Sequence, residues 1–404
     1  MKNFLGAKNW AISVFFFTLT LIYAQEAKAR PEYALQTKQN CTACHVSAWG
    51  SGPRTAYGKY FGSFGFPQAK TSASDVYYGD MKSIAYFPKA MAKYGGGVSL
   101  MEAAGSANVP IIDNENDSEL RAVATYNAAP ISAGAREVYF RWRPHADENS
   151  PLGLVTVGRF NVPFGYLTDE HRTYTKIESN STLNNFDTGV AVSGGFLPSL
   201  HYDLAMVNDL QGANFFSAGD VPYGQVFNLR WNQPGLPFLL GASEEYEHLV
   251  NSPQPSAYSL YTAFDFDQIT SKKVHLMLMG EYVVAKNWNS STINPGLGSF
   301  FIPATATDYQ TQINNTQSQG YFIEAKYYIN SRFAPYYKFD YLALDRQFLA
   351  DAFSRHGVGL ETHLNSNLTL DARYEKATVG HPEIVGSDAL AAQDDFLLMM
   401  RLWL

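Results

Sequence analysis

The chain is poor in cysteine. Its 404 residues include two, Cys41 and Cys44, three positions apart. A zinc site built on two cysteine pairs is excluded, because the second pair does not exist. Charge is scarce as well. Asp, Glu, Lys and Arg make up 17% of the chain, against about a quarter in soluble domains. The net charge of −7 argues against the basic footprint of a nucleic-acid binder. Beyond residue 29 there is no apolar run of the ~20 residues that a spanning helix needs.

The start of the chain has a different character. Lys2 and Lys8 precede the apolar stretch Trp10 to Ala24, and small residues follow at Ala27-Lys28-Ala29. A basic start, a short apolar centre and a small-residue cleavage point describe a secretory signal peptide over residues 1–29. A membrane-anchoring helix is the weaker alternative, because the stretch is shorter than the ~20 residues that spanning needs. The mature chain is expected to begin at Arg30, in a bacterial envelope or outside the cell. Aromatics reach 15%, with 26 Tyr and 27 Phe. An exported, aromatic-rich, charge-poor chain without an apolar helix suits an outer-membrane β-barrel, whose apolar surface is spread over alternate strand positions and interfacial girdles.

Period-two stretches bear this out from about residue 78 onward. In Glu137–Arg143, Val138, Phe140 and Trp142 share one face, while Glu137, Tyr139, Arg141 and Arg143 share the other. Residues 226–231 set Phe227, Leu229 and Trp231 against Asn228 and Arg230. Residues 320–329 set Tyr321, Ile323, Ala325, Tyr327 and Ile329 against Glu324, Lys326 and Tyr328. Residues 367–376 set Leu368, Leu370, Ala372 and Tyr374 against Thr369, Asp371, Arg373 and Glu375. Side chains alternate across a strand, so each stretch has one apolar and one polar face.

A soluble sandwich shows the same alternation, and the connections separate the two. Short turns at 145–151, 196–199, 232–235, 268–273, 329–332 and 365–367 alternate with mostly longer polar stretches at 163–185, 209–222, 286–316 and 378–391. Short periplasmic turns alternating with longer outer loops mark a bacterial barrel. Sixteen strands are predicted, near 78–88, 95–104, 117–128, 134–144, 152–162, 186–195, 199–208, 223–232, 237–249, 256–266, 273–285, 317–329, 333–345, 353–363, 367–377 and 392–404, with fourteen as the alternative. The fold class is thus an antiparallel transmembrane β-barrel over 78–404, preceded by a short segment, 30–77, packed in or against the lumen. The last strand places Phe396, Leu398, Met400, Leu402 and Leu404 on one face, with Trp403 penultimate.

Cys41-Thr42-Ala43-Cys44-His45 is the Cys-x-x-Cys-His pattern of c-type haem attachment. Two thiols add across the vinyl groups of one haem, and the adjacent imidazole becomes an axial iron ligand. A redox-active disulfide is the competing reading. A thioredoxin-type site lacks the βαβ pattern it requires. The cofactor expected is one haem c, covalent through Cys41 and Cys44, with His45 as proximal ligand. Glycines and the aromatics Tyr57, Tyr60, Phe61, Phe64 and Phe66 follow and could cover a macrocycle. Candidates for the distal ligand are Met81 and Met91 nearby, and His275 and Met277 on a strand face shared with Met279 and Glu281. His201 and His363 are further lumenal candidates.

The combination of export signal, single haem motif and barrel resembles the fused monohaem c-type cytochrome–porins of iron-oxidising bacteria. Residues 41–66 are similar to the haem segment of that family, and 158–176 resemble a porin strand end. The resemblance implies electron transfer through a haem in a porin-like barrel of the outer membrane. The donor would be extracellular Fe(II), and the acceptor a periplasmic cytochrome. Two alternatives stay open: a passive small-solute porin with a haem-bearing plug, and electron delivery to an extracellular acceptor. Arg141, Arg143, Arg230, Arg373 and Lys326 would either offset haem propionates or form ordinary polar lining. Asp169, Glu170 and His171 in an outer loop could attract Fe(II), or simply be solvated.

Overall fold

In the computed structural model the chain forms sixteen strands. They are β1 (Tyr77–Pro88), β2 (Gly97–Asp113), β3 (Glu119–Asn127), β4 (Gly134–Arg143), β5 (Leu154–Asn161), β6 (Phe186–Leu197), β7 (Leu200–Val207) and β8 (Tyr223–Trp231), followed by β9 (Phe238–His248), β10 (Ser256–Asp265), β11 (Leu276–Lys286), β12 (Gln317–Tyr327), β13 (Phe333–Ala343), β14 (Phe353–Asn365), β15 (Leu368–Val379) and β16 (Asp395–Trp403). One short helix, α1 (Tyr174–Glu178), lies between β5 and β6. The structure describes these elements with their flanking turns and, within the β5–β6 connection, residues 162–166, 168, 172–179 and 181. Residues 1–76 and much of the other connections, among them 209–222, 289–315 and 381–393, lie outside the described residues.

Every strand pairs antiparallel with its sequence neighbours, and β1 pairs with β16 from Asp80↔Trp403 to Pro88↔Asp395. The sheet is therefore closed and has no edge, as hydrocarbon requires of a spanning sheet. The alternation read in the sequence sorts the side chains. On β4, Phe140 is 56% exposed on the outer wall while Arg141 is 7% exposed toward the lumen. The outer wall is apolar along β3–β5, β7–β10 and β12–β15, including Val157, Leu204, Phe227, Leu240, Leu260, Ile323, Val358 and Leu360. Among the described residues no helix is long and apolar enough to cross a membrane.

The connections divide by end. At one end β6 stops two residues short of β7 and β14 two residues short of β15, gaps that only tight turns span, while the longer gaps β5–β6, β7–β8, β11–β12 and β15–β16 open at the other. The tight-turn end is the periplasmic one, and both the start of β1 and the end of β16 lie there. One strand differs clearly from expectation: β2 runs to Asp113 rather than ending near 104. The ladder absorbs Pro110 at a register shift between Pro110 and Ile112, a position where the missing N–H does no harm.

Candidate functional site

The main departure from the sequence reading lies in the lumen. The stretch 163–185 was expected outside as a polar loop, but its described residues fold inward. Val162, Phe164, Tyr166 and all of α1 are buried. The reason is a set of anchors on the far wall. Glu281 of β11 accepts hydrogen bonds from the backbone N–H of Tyr166 (2.8 Å), the Thr175 hydroxyl (3.0 Å) and the Lys176 ammonium (2.8 Å), as well as from Ser259 of β10 (2.8 Å). The Gly165 N–H donates to the Ser243 hydroxyl of β9 (3.0 Å). Further along, Lys338 of β13 donates to the Thr173 hydroxyl (2.7 Å), and Arg355 of β14 to the Arg172 carbonyl (2.8 Å). Arg172 itself reaches Asp395 of β16 (2.7 Å) and Glu375 of β15 (3.3 Å). A connection that leaves the wall at β5 is thus held by β9 through β16.

Gly165 makes the inward bend possible. Its φ is +66°, in the left-handed region, and a Cβ there would run into the Glu281 carboxylate and approach the Lys176 ammonium to 2.7 Å. Tyr166 packs edge-on to Tyr261 and Phe322, at centroid distances of 6.0 and 5.9 Å. Burial pushes the Glu178 carboxyl well above the ordinary carboxylate range; the nearby Glu281 charge adds to this, and a hydrogen bond with Ser318 opposes it.

Cys41, Cys44, His45 and Met91 lie outside the described residues. Met81 points outward from β1, while Asp80 and Lys82 on either side point inward. Its thioether therefore lies on the outer face of the wall. Met277 and Met279 face inward and pack with Tyr166, Leu239, Tyr261 and Phe322. Met277 is fully enclosed there as a packing residue. His363 contacts Glu361 through Nε2 (3.1 Å) and Thr369 through Nδ1 (3.4 Å), so both ring nitrogens are engaged. His275 is half-buried just ahead of β11, its carbonyl accepting the Tyr328 N–H (2.8 Å). His201, His275, Met277 and His363 all fall at the periplasmic end of the barrel.

The predicted lumenal cations have partners in the wall itself. Arg141 and Arg143 pair with Glu119, Arg230 with Asp203, Arg373 with Glu375, and Lys326 with Glu324 and Glu361. Asp169, Glu170 and His171 lie outside the described residues. Thr168 and Arg172 on either side are half-buried and buried. The inward segment could not have been read from the sequence with confidence. The one local signal was Pro163-Phe164-Gly165 at a strand end, and the polar run Asp169-Glu170-His171-Arg172 that follows pointed instead to an outer loop.

No protein-family model matches the chain, and no curated protein does. Solved structures do. The chain is similar to an OmpF of Salmonella typhi solved with daunomycin (TM-score 0.56, 11% identity, covering 81% of this chain and 97% of that one). It is similar to an anion-selective porin from Comamonas acidovorans (TM-score 0.55, 10% identity, 81% and 98% covered). It is also similar to OmpT of Vibrio cholerae (TM-score 0.54, 8% identity, 81% and 96% covered). At these identities the likeness is one of fold, and the fold is a porin-like outer-membrane β-barrel.

Proposed function

We propose that this barrel carries one haem c on Cys41 and Cys44, with His45 as proximal ligand, and moves electrons across the outer membrane. The donor in this reading is extracellular Fe(II), which loses one electron to become Fe(III), and the acceptor is a periplasmic cytochrome. When bound, the haem supplies the one-electron couple. The chain's own part is to tether the group through two thioethers, hold an imidazole below it, and keep water and other solutes out of the passage.

The observation that favours this over a solute channel is the burial of charged groups on the lumenal lining. Asp203, Lys326, Arg355, Glu361 and Glu375 point inward and are each no more than 1% exposed. A water-filled channel keeps such groups hydrated. His275 is the distal candidate that combines a lumen-end position with a partly open surface. The porin-like fold favours the second reading, a passive porin with a haem-bearing plug.

Three measurements decide between them. Protein matured with haem should show α and Soret bands that survive acid–acetone extraction, and an intact mass above the processed polypeptide by one haem. A bare-polypeptide mass in correctly matured material would sink the proposal. Prompt reduction by Fe(II) supports the direction of flow; reduction by dithionite alone overturns it. A wide, steady conductance in planar bilayers would favour the porin.

A further inference from the structure

The outer wall is dented at mid-height between β8 and β12. An open groove of about 680 Å³ runs there, lined almost wholly by apolar groups. Its floor is made of short residues on three adjacent strands. Thr262 of β10 stands opposite Gly280 of β11 and opposite Leu240 of β9, two positions from Ala242. The Thr262 hydroxyl donates to the Leu239 carbonyl (2.9 Å), so the floor offers no unpaired polar group. Leu240, Leu260 and Ile323 are exposed and rise around it. Loosely held lipid covers any spanning wall, but a groove with a polar clamp at the right height selects one molecule.

That clamp stands above the groove. Lys286 ends β11 on the extracellular side, exposed on the same outer face as Gly280 and Tyr282. Opposite Lys286 on β12 is Gln317. The Gln317 side-chain oxygen accepts a hydrogen bond from the exposed Arg346 guanidinium (3.3 Å). Two cations therefore flank Gln317, and neither forms an ion pair with a described residue. The acids nearby are engaged elsewhere: Asp345 accepts the Gln347 N–H (2.9 Å), and Glu244 of β9 bonds the Tyr258 side chain. The spacing also fits. Gly280 lies six residues below Lys286, which is ~20 Å along a strand and ~15 Å along the membrane normal at a tilt of ~40°. That is half of the ~30 Å hydrocarbon core, so a lipid with its headgroup at Lys286 brings its chain ends to Gly280. We infer that the groove and the Lys286–Arg346 clamp hold one outer-leaflet lipid with a phosphate-bearing headgroup. The phosphate sits between the two cations, and an acyl chain lies on the Ala242–Thr262–Gly280 floor. The site faces lipid and is separate from whatever passes through the lumen.

The test is native mass spectrometry of the full chain released from micelles doped with lipid A, a phosphorylated glycolipid, or with diacylglycerol, which has acyl chains and no phosphate. Wild type should retain one lipid A and prefer it to diacylglycerol. Lys286→Gln/Arg346→Gln should weaken lipid A retention roughly thirtyfold, about fivefold for each cation, and leave diacylglycerol unchanged. Ala242→Leu/Thr262→Leu fills the floor with side chains suited to hydrocarbon and should weaken retention of both lipids by about tenfold. Each pair of changes lies on the outer surface, and either one carries the test should the other fail to fold. Wild type that retains no lipid A, or lipid A retained equally by wild type and both variants, overturns the inference. Inorganic phosphate bound as tightly as lipid A would make the free anion the ligand and overturns it as well. So does a groove-filling variant that keeps lipid A but changes the oligomeric state on cross-linking, which would give the groove to a second copy of the chain.

Discussion

Glu281→Gln removes one negative charge from the lumen and leaves the shape of the side chain nearly unchanged. Glu281 and Lys176 form a 2.8 Å pair with side chains 0% and 2% exposed, so the variant leaves an ammonium buried beside a neutral amide. Removing one partner of a buried pair costs ~3–5 kcal/mol. The amide oxygen still accepts from the Tyr166 N–H or the Thr175 hydroxyl, so the loss falls on the charge pair and not on all the donors. With a factor of ten for each ~1.4 kcal/mol, local opening of the inward segment should become roughly a hundredfold to a thousandfold more frequent. Amide hydrogen exchange of peptides covering 162–181 in micelles reads that opening. Lys176→Met should also loosen the segment, by stranding the carboxylate. The double variant should recover most of the loss, because replacing a buried ion pair with well-packed neutral groups is often neutral or better. Exchange unchanged in Glu281→Gln, or a double variant no better than the worse single one, would refute the argument that this pair pins the segment.

Four further outcomes follow from the same geometry. Gly165→Ala places a Cβ against Glu281 and Lys176 at a φ of +66° and should destabilise the inward bend by roughly 2–4 kcal/mol, seen as faster exchange at 162–166. Glu178 ionises more readily unfolded than folded, so stability should fall as pH rises above its unfolded value near 4.5; Glu178→Gln should flatten that slope in urea titrations from pH 5 to 8. Val138→Arg, on the lipid face near the middle of β4, should cost roughly 2–4 kcal/mol in vesicle refolding experiments. Arg172→Met should raise exchange at 172–179 by about tenfold or more while leaving 162–166 protected, because Asp395 and Glu375 grip only that part.

Strand count, the limits of most strands and the inside–outside sorting were legible in the sequence, because a lipid-facing wall forces strict alternation and tight periplasmic turns punctuate it; the end of β2 was not. Tyr139, Arg141, Met277 and Glu281 face the lumen as their spacing predicted. The inward course of 162–181 was not legible. Its cause is a set of contacts between residues about a hundred positions apart, such as Lys176 with Glu281 and Tyr166 with Glu281. Period and composition report only on neighbours along the chain. The fate of the lumenal arginines was hidden for the same reason: Arg230 finds Asp203 across a strand pair, and nothing local marks one as the other's partner. The face of β1 that Met81 occupies could not be told from its nearness to Cys41 and Cys44 in sequence.

The way the segment is held bears on what the barrel can do. Apolar contacts alone would tolerate sliding of a plug along the strands, since one apolar patch substitutes for another. Charged anchors do not. Lys176 is satisfied only where Glu281 stands, and Arg172 only where Asp395 and Glu375 stand, so the two ends of the segment fix its height and its rotation together. Such pairs add little net stability, because both charges must leave water first. What they add is a single geometry, and the recovery expected of the Glu281→Gln/Lys176→Met double variant separates these two contributions: stability should return while the exchange pattern along 162–181 becomes less sharply graded.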